Sequence, residues 1–131
     1  MSVSVYHKKS AFAARPRRGY RQFYRRAAVH AARFRIERSS GDSVVRILVS
    51  GELDLENAPR FRREWQFDCD NDVEVVLVDL SGVQFIDSSG LHALIAAHRH
   101  LGDRLSIIAS APCAHLIDLT GLRRILPIIE G

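Results

Sequence analysis

The spacing of hydrophobic positions changes several times along the chain, and each change predicts an element. Over residues 17–34, aromatic and alanine side chains recur at intervals of three and four, which predicts a basic amphipathic helix. Phe34 and Ile36, followed by residues 44–49, predict two strands. The polar residues 39–42 between these strands suit a hairpin turn.

Helical and strand patterns then alternate to the end of the chain. Leu55, Phe61 and Trp65 fall at helical spacing and predict a helix over residues 55–67, with Pro59 in its first turn. The later elements are predicted as a strand at 73–80 that is buried on both faces, a loop at Ser81-Gly82, a helix at 88–101, a strand at 105–109, a helix from Pro112 to Leu119 with a cap at Gly121, and a strand at 125–129. This alternation predicts one α/β domain over residues 33–131, with a mixed or mostly parallel central sheet of four to five strands.

The net charge of +4 over 131 residues combines two opposite regions. Residues 1–38 hold eleven Lys or Arg and one acid, a net charge of +10, whereas residues 39–131 hold eight Arg and fourteen acids, a net charge of −6. An acidic domain argues against direct binding of nucleic acid, because phosphate contacts need Lys and Arg. No apolar run is long enough to span a bilayer or to form the core of a secretory signal, so we expect a cytoplasmic protein.

Residues 1–32 form a basic extension, and two interpretations of it stay open. A basic amphipathic helix is suited to dock on an anionic membrane or on nucleic acid. The same residues are equally compatible with a solvated, poorly ordered extension, or with a translated leader ahead of a start near Val29. We favour the solvated extension over membrane contact.

The residues with the most chemical information follow the buried strand. Asp87 or Ser88 is placed to cap the next helix, and Ser89 then lies in its first turn, followed by Gly90. A phosphoryl group on Ser89 would add about two negative charges at this helix start. Asp54 ends a neighbouring strand, so we expect it to lie at the same edge of the sheet. The simplest alternative is that these residues only cap a helix.

The segment Asp87-Ser88-Ser89-Gly90-Leu91 after a strand resembles the signature of STAS domains, specifically the bacterial anti-sigma factor antagonists. Gly51-Glu52-Leu53-Asp54 and Leu119-Thr120-Gly121-Leu122 are similar to two further family segments, and the order of elements agrees. The resemblance covers about three-quarters of the chain, residues 33–131. It differs in two respects: the sequence ends at Gly131, where similar domains usually continue into another helix, and the basic extension has no family explanation. We expect the extension, with Tyr20, Phe23 and Phe34, to cover the sheet instead.

The resemblance implies a protein-binding switch. Such proteins bind an anti-sigma factor, often a serine kinase, and thereby release a sigma factor that activates transcription. The kinase phosphorylates the position of Ser89, which breaks the complex, and a serine phosphatase reverses the modification. Asp54, Asp87, Ser88, Gly90 and His92 are then expected to shape the phosphorylation site and to contact the partner. The chain itself needs no cofactor, since ATP belongs to the kinase.

Enzyme, metal and redox alternatives have less support. A serine hydrolase elbow needs Gly-x-Ser-x-Gly, and the first glycine is missing before Ser89. His92, His98 and His100 are not spaced to place two metal ligands on one helix face. Cys69 and Cys113 are expected at opposite edges of the sheet, too far apart for a disulfide, although Cys113 could sense oxidants.

The strongest competing interpretation is a different STAS role. Such domains also serve as subunits of transporters and of stress-sensing complexes, where they act as protein-interaction modules. The basic extension favours that role, whereas intact Asp54, Ser88 and Ser89 favour the antagonist.

Overall fold

The computed structural model describes residues 33–66 and 72–129. Within these residues the chain forms an α/β domain. Its elements, in chain order, are β1 (Arg35–Ser40), β2 (Val44–Leu53), α1 (Ala58–Gln66), β3 (Val75–Ile86), α2 (Ser88–Leu101), β4 (Leu105–Ala109), α3 (Ala111–Leu119) and β5 (Ile128–Ile129), with 3-10 turns at Gly102–Arg104 and Leu122–Arg124.

The five strands form one mixed sheet in the order β1-β2-β3-β4-β5. β1 and β2 make an antiparallel hairpin, and every later neighbour is parallel. The three parallel crossovers all step in the same direction across the sheet. Because such crossovers are right-handed, α1, α2 and α3 lie on the same face. The mixed, mostly parallel sheet predicted from the sequence is therefore confirmed.

The hydrophobic core lies on the helix-covered face of the sheet. In β2, the residues Val45, Ile47 and Val49 are buried and alternate with exposed positions, as expected for a strand with one covered face. Helix α1 contributes Phe61 and Trp65, whose rings meet edge to face with centroids 6.2 Å apart. Burying side chains of this size stabilises the fold by about 2–3 kcal/mol each.

Three boundaries differ from the sequence-based predictions. Ser81-Gly82 was predicted to be a loop, but β3 runs through it, because β2 and β3 continue to pair beyond Leu48 with two shifts in register. Helix α1 begins at Ala58 and not at residue 55, because Asp54 turns the chain first through its backbone carbonyl, which accepts from Ala58 N. The last strand is also shorter than predicted, because the amides of Ile125 and Leu126 donate to the carbonyl of Leu122 and only Ile128–Ile129 pair with β4.

Gly51 explains why the Gly-Glu-Leu-Asp segment begins with glycine. Its φ is +93°, and a Cβ atom there would lie 2.7 Å from the carbonyl oxygen of Arg33 and from Cα of Phe34. Only glycine combines this backbone angle with so close an approach. The backbone of residues 33 and 34 therefore packs directly against the C-terminal part of β2.

The N-terminal extension lies outside the described residues, as does Cys69, so the predicted leader helix and its cover over the sheet remain predictions. Phe34, which the helical pattern had included, precedes β1 and is fully buried. The guanidinium of Arg60 lies 5.9 Å from the centre of its ring. Phe34 therefore belongs to the core of the domain.

Candidate functional site

The carboxyl ends of β2 and β3 meet at one edge of the sheet. Leu53 and Ile86 are the last paired residues, and Asp54 and Asp87 follow them directly. The amide of Asp87 also donates to the carbonyl of Leu53 at 3.4 Å. The structure thus places both carboxylates on the edge where the sequence analysis expected them. We call the surface formed by residues 52–55 and 85–90 the Ser89 edge.

Asp87 is the N-terminal cap of α2. Its Oδ1 accepts from Ser89 N at 2.9 Å and from Gly90 N at 3.2 Å. The first backbone donors of the helix, which are unpaired in an uncapped helix, are therefore satisfied by a carboxylate. Of the two capping candidates, Asp87 takes this role, and Ser88 begins the helix with an exposed side chain.

Ser89 and Gly90 bring α2 against the end of β2. Ser89 is half-buried and Gly90 is buried. A Cβ atom on Gly90 would lie 2.3 Å from the carbonyl oxygen of Leu53 and 2.9 Å from Cγ1 of Ile86. The helix start therefore packs so closely on the strand ends that a larger residue at position 90 forces it outward.

Asp54 begins the turn that leads into α1. It is 8% exposed, and its Oδ1 accepts from the amide of Asn57 at 3.1 Å. The Asn57 side chain in turn donates to the carbonyl of Glu52 at 2.9 Å. Asn57 was not among the residues predicted for this site. The Asp-x-x-Asn spacing ahead of a helix was the signal that could have revealed it.

Glu52 is the titratable group with the most altered chemistry at this edge. Burial, followed by the negative charge of Asp54, raises the pKa of Glu52 from 4.5 to about 7. A carboxyl with this pKa changes its charge near neutral pH. Any further negative charge placed nearby disfavours its ionised form further.

Two large apolar side chains flank the carboxylates, and the sequence analysis missed both as site residues. Leu55 was predicted to lie within helix α1, but it precedes that helix and is 70% exposed, and Phe85 is 48% exposed. His92 is also exposed and lies one helical turn beyond Ser89.

The other candidate chemistries are not assembled in the described part of the chain. No three His, Cys, Asp or Glu side chains come together there as metal ligands. None of the described helices has the length and apolarity needed to cross a membrane. Cys113 is fully buried, and burial raises the pKa of its thiol, so it is a poor oxidant sensor.

Comparison with known proteins identifies the family. The protein-family model named STAS domain matches residues 33–130 of this chain. An anti-sigma F factor antagonist of Paenibacillus polymyxa is 28% identical over 101 residues, covering 73% of this chain and 86% of that protein. An anti-sigma-B factor antagonist of Listeria monocytogenes is 31% identical over 91 residues, covering 65% of this chain and 80% of that protein.

A solved structure gives the same result. The crystal structure of an anti-sigma factor antagonist from Mycobacterium paratuberculosis superposes with a TM-score of 0.67 at 29% identity, covering 75% of this chain and 86% of that one. Because the STAS family model matches nearly the whole of the described domain, this chain belongs to the STAS domain family.

Proposed function

We propose that this protein is an anti-sigma factor antagonist. It binds an anti-sigma factor through the Ser89 edge while Ser89 is unphosphorylated, and it thereby frees a sigma factor to activate transcription. The relatives named above support the class of partner. The kinase type of that partner and the serine phosphatase that restores the free hydroxyl are part of the proposal.

The observation that supports the switch most directly is the capping of α2. A helix N-terminus ordinarily attracts an anion, because its backbone N–H groups are unpaired. Here the Asp87 carboxylate already accepts from Ser89 N and Gly90 N. A phosphoryl group on Ser89 therefore lies beside the Asp87 carboxylate and not beside unpaired backbone N–H groups. Asp54, which follows the end of the neighbouring strand β2, adds a second carboxylate at the same edge of the sheet.

The electrostatic consequence supports a release mechanism. Phosphorylation adds about two negative charges to an edge that already carries two carboxylates and a titratable Glu52. A partner surface that fits the neutral hydroxyl then faces both a new charge and a bulkier group. The exposed Leu55 and Phe85 provide apolar contacts that such a partner loses when the complex separates.

In this account the protein is the substrate of a kinase and not itself an enzyme. The relatives are named as anti-sigma factor antagonists, and the account requires of this chain only a hydroxyl on Ser89 that a kinase modifies. A role as a subunit of a transporter or stress-sensing complex has no comparable support from the relatives named above.

The test is affinity capture from the native host with three baits: wild type, Ser89→Ala and Ser89→Asp. We expect the first two to retain a kinase-type anti-sigma factor and the third to lose it, with bound proteins identified by mass spectrometry. Incubating the captured kinase with ATP and the wild-type bait is expected to place one phosphate on Ser89. Capture of transporter subunits irrespective of residue 89 would refute the antagonist role.

A further inference from the structure

A cationic groove lies between α1 and α2, beside the Ser89 edge. It has a volume of about 730 Å³ and is lined by Arg62, His92, Ile95, Ala96, Arg99 and His100. Ile95 and Ala96 are half-buried and form an apolar floor, and the four basic side chains surround it. No carboxylate is among these lining residues.

The described residues of the domain do not neutralise the two arginines of this groove. Neither Arg62 nor Arg99 forms an ion pair with a carboxylate in residues 33–66 and 72–129, whereas Arg46 and Arg123 each do. This contrast is informative because residues 39–131 carry a net charge of −6. Two guanidinium groups that have no carboxylate partner among the described residues give this groove a local positive surface.

The groove is continuous with the Ser89 edge along α2. His92, Ala96 and Arg99 follow Ser88 and Ser89 at intervals of three and four residues, which places them on one side of the helix. The exposed surface of α2 is therefore negative at its start, near Asp87, and positive further along. A partner that covers both ends needs the opposite pattern of charge.

We propose that this groove is an electrostatic docking site for an acidic segment of the protein partner that binds over Ser89. The proposal rests on the proposed function for the identity of that partner, an anti-sigma factor. One negative and one positive patch on the same helix fix the orientation of the complex, because a partner bound in the reverse direction would bring like charges together. The acidic segment speeds association, and the contact at Ser89 decides whether the complex persists.

The experiment measures binding of the full chain to each purified anti-sigma factor encoded in the same genome. The test variant is Arg62→Glu/Arg99→Glu, and the matched control is Arg63→Glu/Arg124→Glu, which makes the same change in charge at exposed positions outside the groove. A milder pair, Arg62→Gln/Arg99→Gln, and thermal unfolding of all variants exclude a folding defect.

We expect the test variant to associate about tenfold more slowly or worse at low salt, and to lose most of the salt dependence of the wild-type rate. The control is expected to stay within about twofold of wild type. If the test variant associates at the wild-type rate, or if the control variant loses as much association rate as the test variant, the groove is not a docking site, and the antagonist role is unaffected. Failure of wild type to bind any of these anti-sigma factors would instead refute the proposed function, and the docking proposal with it.

Discussion

At the scale of single residues, Gly90 makes the closest contact in the site. A side chain there would meet the Leu53 carbonyl at 2.3 Å. We predict that Gly90→Ala destabilises the domain by about 2–3 kcal/mol, because backbone and not a flexible side chain must move. Urea unfolding measures this loss. Gly41→Ala is the control, since its nearest neighbour is Val44 O at 3.9 Å, and a similar loss in both would contradict the steric argument.

Glu52 gives the Ser89 edge a dependence on pH. Its pKa is raised to about 7, so the folded state holds this proton more tightly than the unfolded chain does. Stability from this group is therefore complete below about pH 4.5 and falls as the pH rises to 7.

We predict that Glu52→Gln matches wild type near pH 4 and becomes more stable by about 1–2 kcal/mol at pH 8, a value reduced for partial exposure. Unfolding at several pH values measures this difference. Glu37→Gln, on the exposed hairpin, controls for the loss of charge. A constant difference between Glu52→Gln and wild type at all pH values would show that the carboxyl does not titrate as described.

At the scale of elements, the cap of α2 links stability to the site. We predict that Asp87→Ala costs about 1 kcal/mol, because the amides of Ser89 and Gly90 lose their acceptor, and that Asp87→Asn recovers most of this loss. The free energy of unfolding of the three proteins measures the effect. Equal stability of the alanine and wild-type proteins would mean that water replaces the carboxylate without cost.

The elements also show what a sequence pattern can predict. The apolar run of β3 and the capping residues of α2 are local signals, and they predicted a strand and a helix at these places in the chain. The continuation of β3 through Ser81-Gly82 depends on its pairing with β2, where a Cβ atom on Gly82 would lie 2.8 Å from that of Ser50. Ser81 and Gly82 normally indicate a loop, but pairing with β2 keeps them in a strand. A local sequence pattern cannot show this pairing, because β2 lies about 30 residues earlier in the chain.

The site was predictable to a similar extent. Asp87, Ser89 and Gly90 are adjacent in sequence, and Asp54 followed from the rule that parallel strands end at one edge. The groove was not predictable, because Arg62 and Arg99 come from different helices and meet only through helix packing. Leu55 was predicted to lie within the helix because helical spacing alone does not show where a helix begins.

At the scale of the whole molecule, charge separates the functions of its surfaces. The domain is acidic overall, the Ser89 edge concentrates carboxylates, and the groove beside it is basic. Arg46 and Asp79 pair at 2.8 Å on the sheet face away from the helices, where hydrogen bonds from Ser81 and Arg46 outweigh burial and hold the Asp79 pKa below its usual range. The groove lies between α1 and α2, on the other side of the sheet and beside the surface proposed to meet the partner.

The measurement that tests the central claim most directly is the dissociation constant of the full chain for its anti-sigma factor, compared between wild type, Ser89→Ala and Ser89→Asp. Ser39→Asp, an exposed change on β1, controls for added charge. We predict that wild type, Ser89→Ala and Ser39→Asp agree within about twofold, and that Ser89→Asp binds about 100-fold more weakly, a loss of about 2.7 kcal/mol. Equal affinity of all four proteins would contradict the switch at Ser89.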